Sequence, residues 1–298
     1  DGEPSIDVWA MDVARFGDYA SPQYGTIKSS ENYERRFIMT FPNETLPKGR
    51  KQKTTALYDR FVNQGAVMGD SFGLENVLWF ANNKEDAHEE PTIKRSRSHD
   101  YVSREVINVR ENVGLIEVAN FSKHEFKGTD ARKFLDHVMA GKLPKPGRIS
   151  LSPMLSYRGK LCGDLTVACF DENEFMVFGS GAAQEMHRRW FESHLDKFDV
   201  NYKNRSDEFH GISIAGPNSR KVLEKIVRDN VTNEKFKFRD SRRMFVGGVP
   251  AIINRISFTG ELGYEIYVAP HYQIKLYEEL MEAGKEFNIK PFGGRALM

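Results

Sequence analysis

The chain has 298 residues, which is long enough for more than one domain and a sizeable hydrophobic core. Its 43 basic and 42 acidic residues give a formal net charge of +1, so the charge balance indicates neither a nucleic acid nor an anionic membrane as a partner. No apolar run approaches the roughly 18 residues that indicate a membrane-spanning helix.

The first 83 residues combine short predicted strands and turns with one predicted helix at 31–39. The basic loop at 47–53 is suited to an anion, but a solvated surface loop is several times more common for such a sequence. The glycines of GAVMGDSFG at 65–73 do not have the G-x-G-x-x-G spacing of a dinucleotide-binding loop. We therefore predict no flavin or nicotinamide site in this chain.

A change in composition marks the middle of the chain. Residues 82–99 hold charges of both signs and a proline without apolar periodicity, which predicts a linker. A helix at 101–110 and a strand at 114–119 are expected next. A second helix should follow, with Thr129 or Asp130 accepting hydrogen bonds from the amides of its first turn.

The most informative stretch is the hairpin at 150–178, with predicted strands at 165–170 and 175–178. Asp164 opens the first strand and is predicted to be buried beside apolar core. A buried carboxylate is costly unless it is paired, protonated or used in chemistry, and burial would raise its pKa. From these residues alone, a simple turn-capping role for Asp164 after Gly163 remains equally open.

Neither the cysteines nor the histidines predict a metal site. The odd separation of Cys162 and Cys169 places them on opposite faces of an extended strand, which also argues against a disulfide. His187 and His194 lie seven residues apart on a predicted helix at 182–195. Two histidines without a nearby third ligand are weak evidence for a metal.

The last informative stretch is SFTGELGYEIYV, which ends in a strand that begins near Glu265. Glu261 is expected in the turn before this strand. A glutamate in a turn is usually exposed and uninvolved, so the residue type alone does not indicate a function.

Three motifs resemble one family. MLSYRGKLCGDLTV is similar to the ML-x-x-x-G-G-x-x-x-DL-x-V hairpin of the glycine-cleavage T-protein (aminomethyltransferase) family, and GDLTV is closer to the folate-binding half of dimethylglycine and sarcosine dehydrogenases. SFTGELGYEIYV resembles the YTGE-x-G-(F/Y/V)-E-(I/L) signature. The segment at 2–81 resembles the end of the flavin domain and the linking domain of these dehydrogenases. Lys160 replaces the second glycine of the family hairpin, so that turn geometry is not carried over.

The resemblance implies a folate site. Asp164 would be the catalytic residue facing the folate amine, and Glu261 would bind the pterin ring. A carboxylate suits a pterin because it can accept from the 2-amino group and a ring N–H together. Arg295 in PFGGRALM lies where the family has an arginine at a helix start. The apolar or stacking walls of the cavity would come from Met154, Leu155, Tyr157 and Tyr264.

We therefore predict an α+β fold with two parts. Residues 1–83 would form the tail of a flavin domain and a small linking domain, and residues 92–298 a T-protein-like folate-binding domain of mixed strands and helices, truncated at its C-terminus. The expected cofactor is tetrahydrofolate, while FAD would belong to a flavin domain upstream or in a partner chain. The resemblance implies a cytoplasmic location in a bacterium and the mitochondrial matrix in a eukaryote.

The predicted function is one-carbon transfer within a dimethylglycine or sarcosine dehydrogenase-like enzyme. The domain would form 5,10-methylene-tetrahydrofolate from an iminium derived from a methylamine substrate. Two alternatives stay open: a free-standing T-protein-like aminomethyltransferase or methyltransferase, and a non-catalytic folate-binding regulatory module.

Overall fold

The structure is a computed structural model that describes residues 8–42 and 44–297. Within these residues, no helix is both long enough and apolar enough to cross a membrane. The α-helices, in chain order, are α1 (Pro22–Glu34), α2 (Tyr58–Asn63), α3 (Ser98–Glu111), α4 (Ala131–Val138), α5 (Gln184–Glu192), α6 (Ser219–Ile226) and α7 (Gln273–Gly284).

The strands, in chain order, are β1 (Ala66–Ser71), β2 (Leu74–Phe80), β3 (Val113–Glu117), β4 (Phe121–Lys127), β5 (Arg148–Leu155), β6 (Leu161–Asp171), β7 (Glu174–Ser180), β8 (Asn201–Asn204), β9 (His210–Ala215), β10 (Ser241–Val246), β11 (Val249–Asn254), β12 (Gly263–Val268) and β13 (Ile289–Pro291). Strands β1 and β2 form a separate hairpin. Sheet 1 has the order β10-β11-β12-β9-β3-β13, and sheet 2 has the order β5-β6-β7-β4-β8.

One face of sheet 2, its outer face, is covered by α4 and α5. On β6, Leu165, Val167 and Cys169 point to this face and have no exposed surface. They belong to one core cluster with Phe134 of α4 and Phe191 of α5. Because side chains alternate between the two faces of a strand, the spacing of two along β6 selects the residues that enter this core.

The two large sheets face each other across a shared apolar layer, which we call the inter-sheet layer. Sheet 2 contributes Ala168 and Phe178, and sheet 1 contributes Ile116 and Tyr267. The ring centroids of Phe178 and Tyr267 lie 4.6 Å apart. The outer face of sheet 1 is covered by α6 and α7. The layers are therefore helix, sheet, sheet and helix, which agrees with the predicted α+β class.

Several predicted elements are confirmed. Strands β6 and β7 contain the predicted strands at 165–170 and 175–178. The predicted helix at 101–110 lies within α3, and the predicted strand at 114–119 largely coincides with β3. These segments have either a clear apolar period or a turn between two apolar runs, and such patterns are set locally.

The predicted helix at 31–39 is wrong in its bounds. Helix α1 begins earlier, at Pro22, and the Oγ atom of Ser21 accepts a hydrogen bond from the Tyr24 amide at 3.2 Å. The helix ends at Glu34. The side chain of Phe37 is 92% exposed, so tertiary packing does not extend the helix through this segment.

The predicted N-cap of α4 is also wrong. Asp130 precedes the helix but accepts no hydrogen bond from its first-turn amides. Its carboxylate instead accepts from Lys133 Nζ at 2.8 Å and from the Asp199 amide at 3.1 Å. The hydroxyl of Thr129 donates to the Asp199 carboxylate at 2.8 Å. These contacts tie the start of α4 to the segment before β8.

The predicted linker at 82–99 contains no helix or strand before α3 begins at Ser98. It is nevertheless fixed to the domain, since the hydroxyl of Tyr101 donates to Asp86 at 2.7 Å. Val77 of the β1–β2 hairpin belongs to the same core cluster as Val113 of sheet 1. The hairpin therefore packs on the larger domain, and the proposed domain boundaries at 83 and 92 stay a prediction.

Candidate functional site

Asp164 lies on β6 opposite Pro153 of β5. It shares a strand face with Ala168, which enters the inter-sheet layer, whereas Leu165 points into the helix-covered core. The side chain of Asp164 is exposed, so the prediction of a buried carboxylate is wrong. Its neighbour Leu151 is 65% exposed, because the inter-sheet layer does not extend over this end of sheet 2.

Asp164 is therefore open to a ligand. Among the described residues, none forms a hydrogen bond or an ion pair with its carboxylate. Leu155 and Leu161 are exposed on the same hairpin, and Tyr157 is exposed in its turn. We call these three residues the exposed apolar strip. They give Asp164 an apolar surrounding at the surface, in place of the burial that the sequence suggested.

Glu261 lies in the loop between β11 and β12, as predicted. The loop is held locally: the Glu261 amide donates to Thr259 Oγ1 at 3.3 Å, and the Ser257 hydroxyl donates to the Glu261 carbonyl at 2.5 Å. Gly260 has a φ of +80°, a left-handed conformation that favours glycine. The half-buried side chain of Glu261 forms no hydrogen bond or ion pair within the described part of the chain.

Two predicted wall residues lie in the cores instead. Met154 has no exposed surface and belongs to the core under α4 and α5. Tyr264 also has no exposed surface; its ring stacks on Phe236, and its hydroxyl accepts a hydrogen bond from Arg220 Nε at 3.1 Å. Both side chains point away from the inter-sheet layer. Neither side chain lines a cavity among the described residues, and their predicted contact with folate stays a prediction.

Arg295 is engaged in the architecture of the domain. Its guanidinium donates to the Ser98 hydroxyl and forms an ion pair with Glu89, each at 2.9 Å. Glu89 belongs to the predicted linker and Ser98 begins α3. These contacts join the C-terminal turn to the linker, and the cofactor-binding role of Arg295 stays a prediction.

The histidines and cysteines named in the sequence do not assemble. His187 contacts the Cys162 carbonyl through Nε2 at 3.3 Å, whereas His194 contacts the Trp190 carbonyl through Nδ1 at 2.8 Å. The described residues contain no group of three or more His, Cys, Asp or Glu side chains with metal-binding geometry. The β5–β6 register skips Cys162 at a bulge, so Cys162 packs toward the same core as Cys169; the predicted opposite faces are wrong.

A cavity of about 70 Å³ lies on the inter-sheet face of sheet 1. It is bordered by the β11–β12 loop, by β2 and by the C-terminal turn. The side chain of Phe258 is 68% exposed and lies at its mouth. The lining residues are Asn76, Val77, Ile116, Glu117, Val118, Asn120, Phe121, Ser213, Phe258, Thr259, Glu265, Gly294 and Leu297.

Two ionisable groups, Glu265 and the half-buried Glu117, line this cavity, and buried Lys123 interacts electrostatically with both. Glu265 accepts a hydrogen bond from the Tyr267 hydroxyl at 2.8 Å, and burial raises its pKa to about 7. Glu117 accepts from Gln273, and burial raises its pKa to about 7 as well. Lys123 is fully buried, and burial lowers its pKa to about 7. All three groups therefore change charge near neutral pH.

Sequence reasoning missed Lys123, Glu265 and Tyr267 as site residues. Alternation along SFTGELGYEIYV does place Glu265 and Tyr267 on one face of the strand. However, this alternation does not indicate that the face packs against a second sheet. Lys123 belongs to β4 of sheet 2, and its Nζ donates to the Ala119 and Ser206 carbonyls at 2.8 and 3.3 Å.

The fold places the chain among α+β proteins with the aminomethyltransferase architecture. The crystal structure of glycine cleavage system aminomethyltransferase T from Bartonella henselae superimposes with a TM-score of 0.68, over 82% of this chain and 60% of that one. The sequence identity is 20%, so this likeness concerns the fold. The chain belongs to the GCVT N-terminal domain family, which matches residues 57–298. Residues 1–55 match the FAD dependent oxidoreductase central domain.

Similar proteins agree with this assignment. Human mitochondrial dimethylglycine dehydrogenase is 34% identical over 99% of this chain and 34% of its own length. Sarcosine oxidase subunit alpha of Rhizobium meliloti (strain 1021) is 32% identical over 82% of this chain and 25% of its own length. The chain thus spans about a third of the curated dimethylglycine dehydrogenase it matches. The predicted family relationship and fold are confirmed.

Proposed function

We propose that this chain binds tetrahydrofolate and is the one-carbon transfer part of a dimethylglycine or sarcosine dehydrogenase-like enzyme. In this role it would form 5,10-methylene-tetrahydrofolate from an amine-derived iminium. The observation that supports the proposal most is the strand register, from which we estimate that Asp164 lies roughly 10 Å from the wall of the cavity at the β11–β12 loop.

Strands β6, β7 and β4 are neighbours in sheet 2. Thr166 of β6 pairs with Phe178 of β7, so Asp164, two residues earlier, lies level with Ser180. Ser180 pairs with Phe121 of β4, and Phe121 lines the cavity. Adjacent strands lie about 4.8 Å apart, so Asp164 is roughly 10 Å from this wall.

The β11–β12 loop that carries Glu261 borders the same cavity, although Glu261 itself is not one of the lining residues. Phe258 and Thr259, three and two residues before it, both line the cavity. We propose that the two acids approach one region, Asp164 from sheet 2 and Glu261 from the β11–β12 loop. Neither is neutralised by a neighbour within the described residues. The exposed apolar strip supplies a surface on which an aromatic ligand can pack.

The two acids suit different tasks. Tetrahydrofolate would supply the amine that accepts the one-carbon unit. The Asp164 carboxylate would take a proton from the reacting nitrogen and stabilise a nearby cationic iminium electrostatically. Glu261 would accept the N–H groups of the pterin and orient the ring. Asp164 is thus proposed as the catalytic residue and Glu261 as a binding residue.

The oxidation that supplies the iminium would take place in another domain. The match of residues 1–55 to the FAD dependent oxidoreductase central domain supports a flavin domain in the same polypeptide or in a partner chain. This match also favours the dehydrogenase-like function over a free-standing aminomethyltransferase. We propose a cytoplasmic location in a bacterium or the mitochondrial matrix in a eukaryote.

Glu261→Ala is expected to weaken tetrahydrofolate binding by about 1–3 kcal/mol, the loss of a charged hydrogen bond. Isothermal titration calorimetry of the purified chain measures this directly. Glu282→Ala is a matched control, because Glu282 of α7 forms only an exposed ion pair with Lys285. This variant should bind tetrahydrofolate like the wild type. Unchanged affinity in Glu261→Ala would remove Glu261 from the site.

A further inference from the structure

The cavity at Glu265 has polar atoms that the protein itself does not satisfy. Asn76 has a buried side-chain oxygen without a hydrogen-bond donor. Ser213 is 5% exposed, and its hydroxyl has no partner among the described residues. Glu265 is 7% exposed, and only the Tyr267 hydroxyl donates to its carboxylate within the described chain. Buried polar atoms are normally paired, so the buried, unpaired Asn76 oxygen indicates a bound group at the cavity that Ser213 and Glu265 also line.

The unpaired groups favour a ligand that donates hydrogen bonds. The Asn76 oxygen and the Glu265 carboxylate are acceptors, and the Ser213 hydroxyl accepts as readily as it donates. The remaining wall is apolar, with Ile116 and Phe258 among its members. The volume of about 70 Å³ suits a molecule of a few non-hydrogen atoms, since one water needs about 10–15 Å³.

The charges around the cavity favour a cation. Glu265 from β12 and Glu117 from the end of β3 line it. Lys123 from β4 of sheet 2 interacts electrostatically with both carboxylates, and also with Asp207 and Lys53. Lys123 is held by two backbone carbonyls and forms no ion pair among the described residues. The ionisable side chains that line the cavity are therefore both carboxylates, which carry two negative charges when they are ionised.

We propose that this cavity binds a small alkylammonium ion. The Glu265 carboxylate, the Ser213 hydroxyl and the Asn76 oxygen accept its N–H bonds, and Phe258 contacts its alkyl group. The proposal deepens the proposed function and rests on it for its meaning, because it gives the amine of the one-carbon transfer a place next to the folate region. Binding of a bare ammonium ion is nevertheless measurable without folate.

The pH dependence of this binding has a definite sign. As the pH rises from 6 to 8, Glu265 and Glu117 lose protons and become negative, while Lys123 loses its positive charge. Tyr267, on the same strand as Glu265, stays protonated because burial raises its pKa well above the ordinary value. Every change makes the cavity more attractive to a cation, so affinity should rise by roughly tenfold over this range.

The test is a titration of the full chain with methylammonium chloride at pH 6 and pH 8. Binding is measured by ligand-observed NMR at constant ionic strength. The wild type should bind saturably at pH 8. Glu265→Gln keeps the shape and should bind about tenfold more weakly, while Ser213→Ala should also lose affinity. Glu282→Gln, on the surface of α7, should bind like the wild type. Circular dichroism confirms that each variant is folded.

Three results would overturn the proposal: no saturable binding by the folded wild type at pH 8, equal binding by Glu265→Gln, or equally effective competition by potassium ions. A parallel tetrahydrofolate titration separates the two hypotheses. If folate binds and methylammonium does not, the ammonium site is wrong and the proposed function stands. If methylammonium binds and folate does not, the site stands and the proposed function fails.

Discussion

Asp164→Asn is expected to lower the formation of methylene-tetrahydrofolate by about 10²–10⁴-fold, the usual contribution of a general base. The amide keeps the size of the side chain but cannot take a proton or balance a cationic iminium. Folate affinity should change little, since Asp164 is assigned to the reacting nitrogen and not to the pterin ring. The loss should therefore appear in turnover and not in binding.

The measurement uses the longer protein with its flavin domain, and follows amine oxidation, methylene-tetrahydrofolate and free formaldehyde together. In Asp164→Asn, amine oxidation should continue while formaldehyde replaces the folate product. Glu282→Gln serves as the control for an unrelated lost carboxylate. An equal loss of folate binding in Asp164→Asn and Glu261→Ala would show that Asp164 is a binding residue. Unchanged turnover would favour a non-catalytic folate-binding module.

The free energy of unfolding of Glu265→Gln, relative to that of the wild type, is expected to increase by about 3 kcal/mol as the pH rises from 5 to 8. Burial raises the pKa of Glu265 from 4.5 to about 7, so the folded state retains a proton that the unfolded chain releases. The wild type therefore loses this stabilisation between about pH 4.5 and pH 7. Glutamine has no proton to lose and still accepts from Tyr267.

Urea denaturation at pH 5 and pH 8 gives the two free energies of unfolding for each protein. Glu282→Gln, whose carboxylate is exposed, should follow the pH dependence of the wild type. Parallel pH profiles for Glu265→Gln and the wild type would mean that Glu265 is ionised in both states, and that its burial has no effect on its titration.

Local patterns predicted the hairpin of β6 and β7 because two apolar runs flank a short polar turn. They wrongly predicted that Asp164 is buried. A period of two separates the two faces of a strand, but it does not show how much of each face is covered by other elements. Leu165 is buried by α4 and α5, but the inter-sheet layer ends before it reaches Asp164. The helix near residue 31 was misplaced because the Ser21–Pro22 start was not recognised.

Contacts between distant segments account for the other differences. Tyr264 entered the core because its strand is covered by helices on that face, and Arg295 is fixed by Glu89 from the linker. The cavity combines Glu265 of sheet 1 with Phe121 of sheet 2, and Lys123 of sheet 2 interacts electrostatically with Glu265. The spacing of residues within one segment does not predict which side chains of the two sheets come into contact. Family motifs indicated both acids of the proposed site, but only the fold gives their surroundings.

The most direct test of the proposed function is a calorimetric titration of the wild-type chain with tetrahydrofolate under reducing conditions. We expect saturable binding with a sub-millimolar dissociation constant and one site per chain. The absence of binding by the folded chain at millimolar tetrahydrofolate would contradict it.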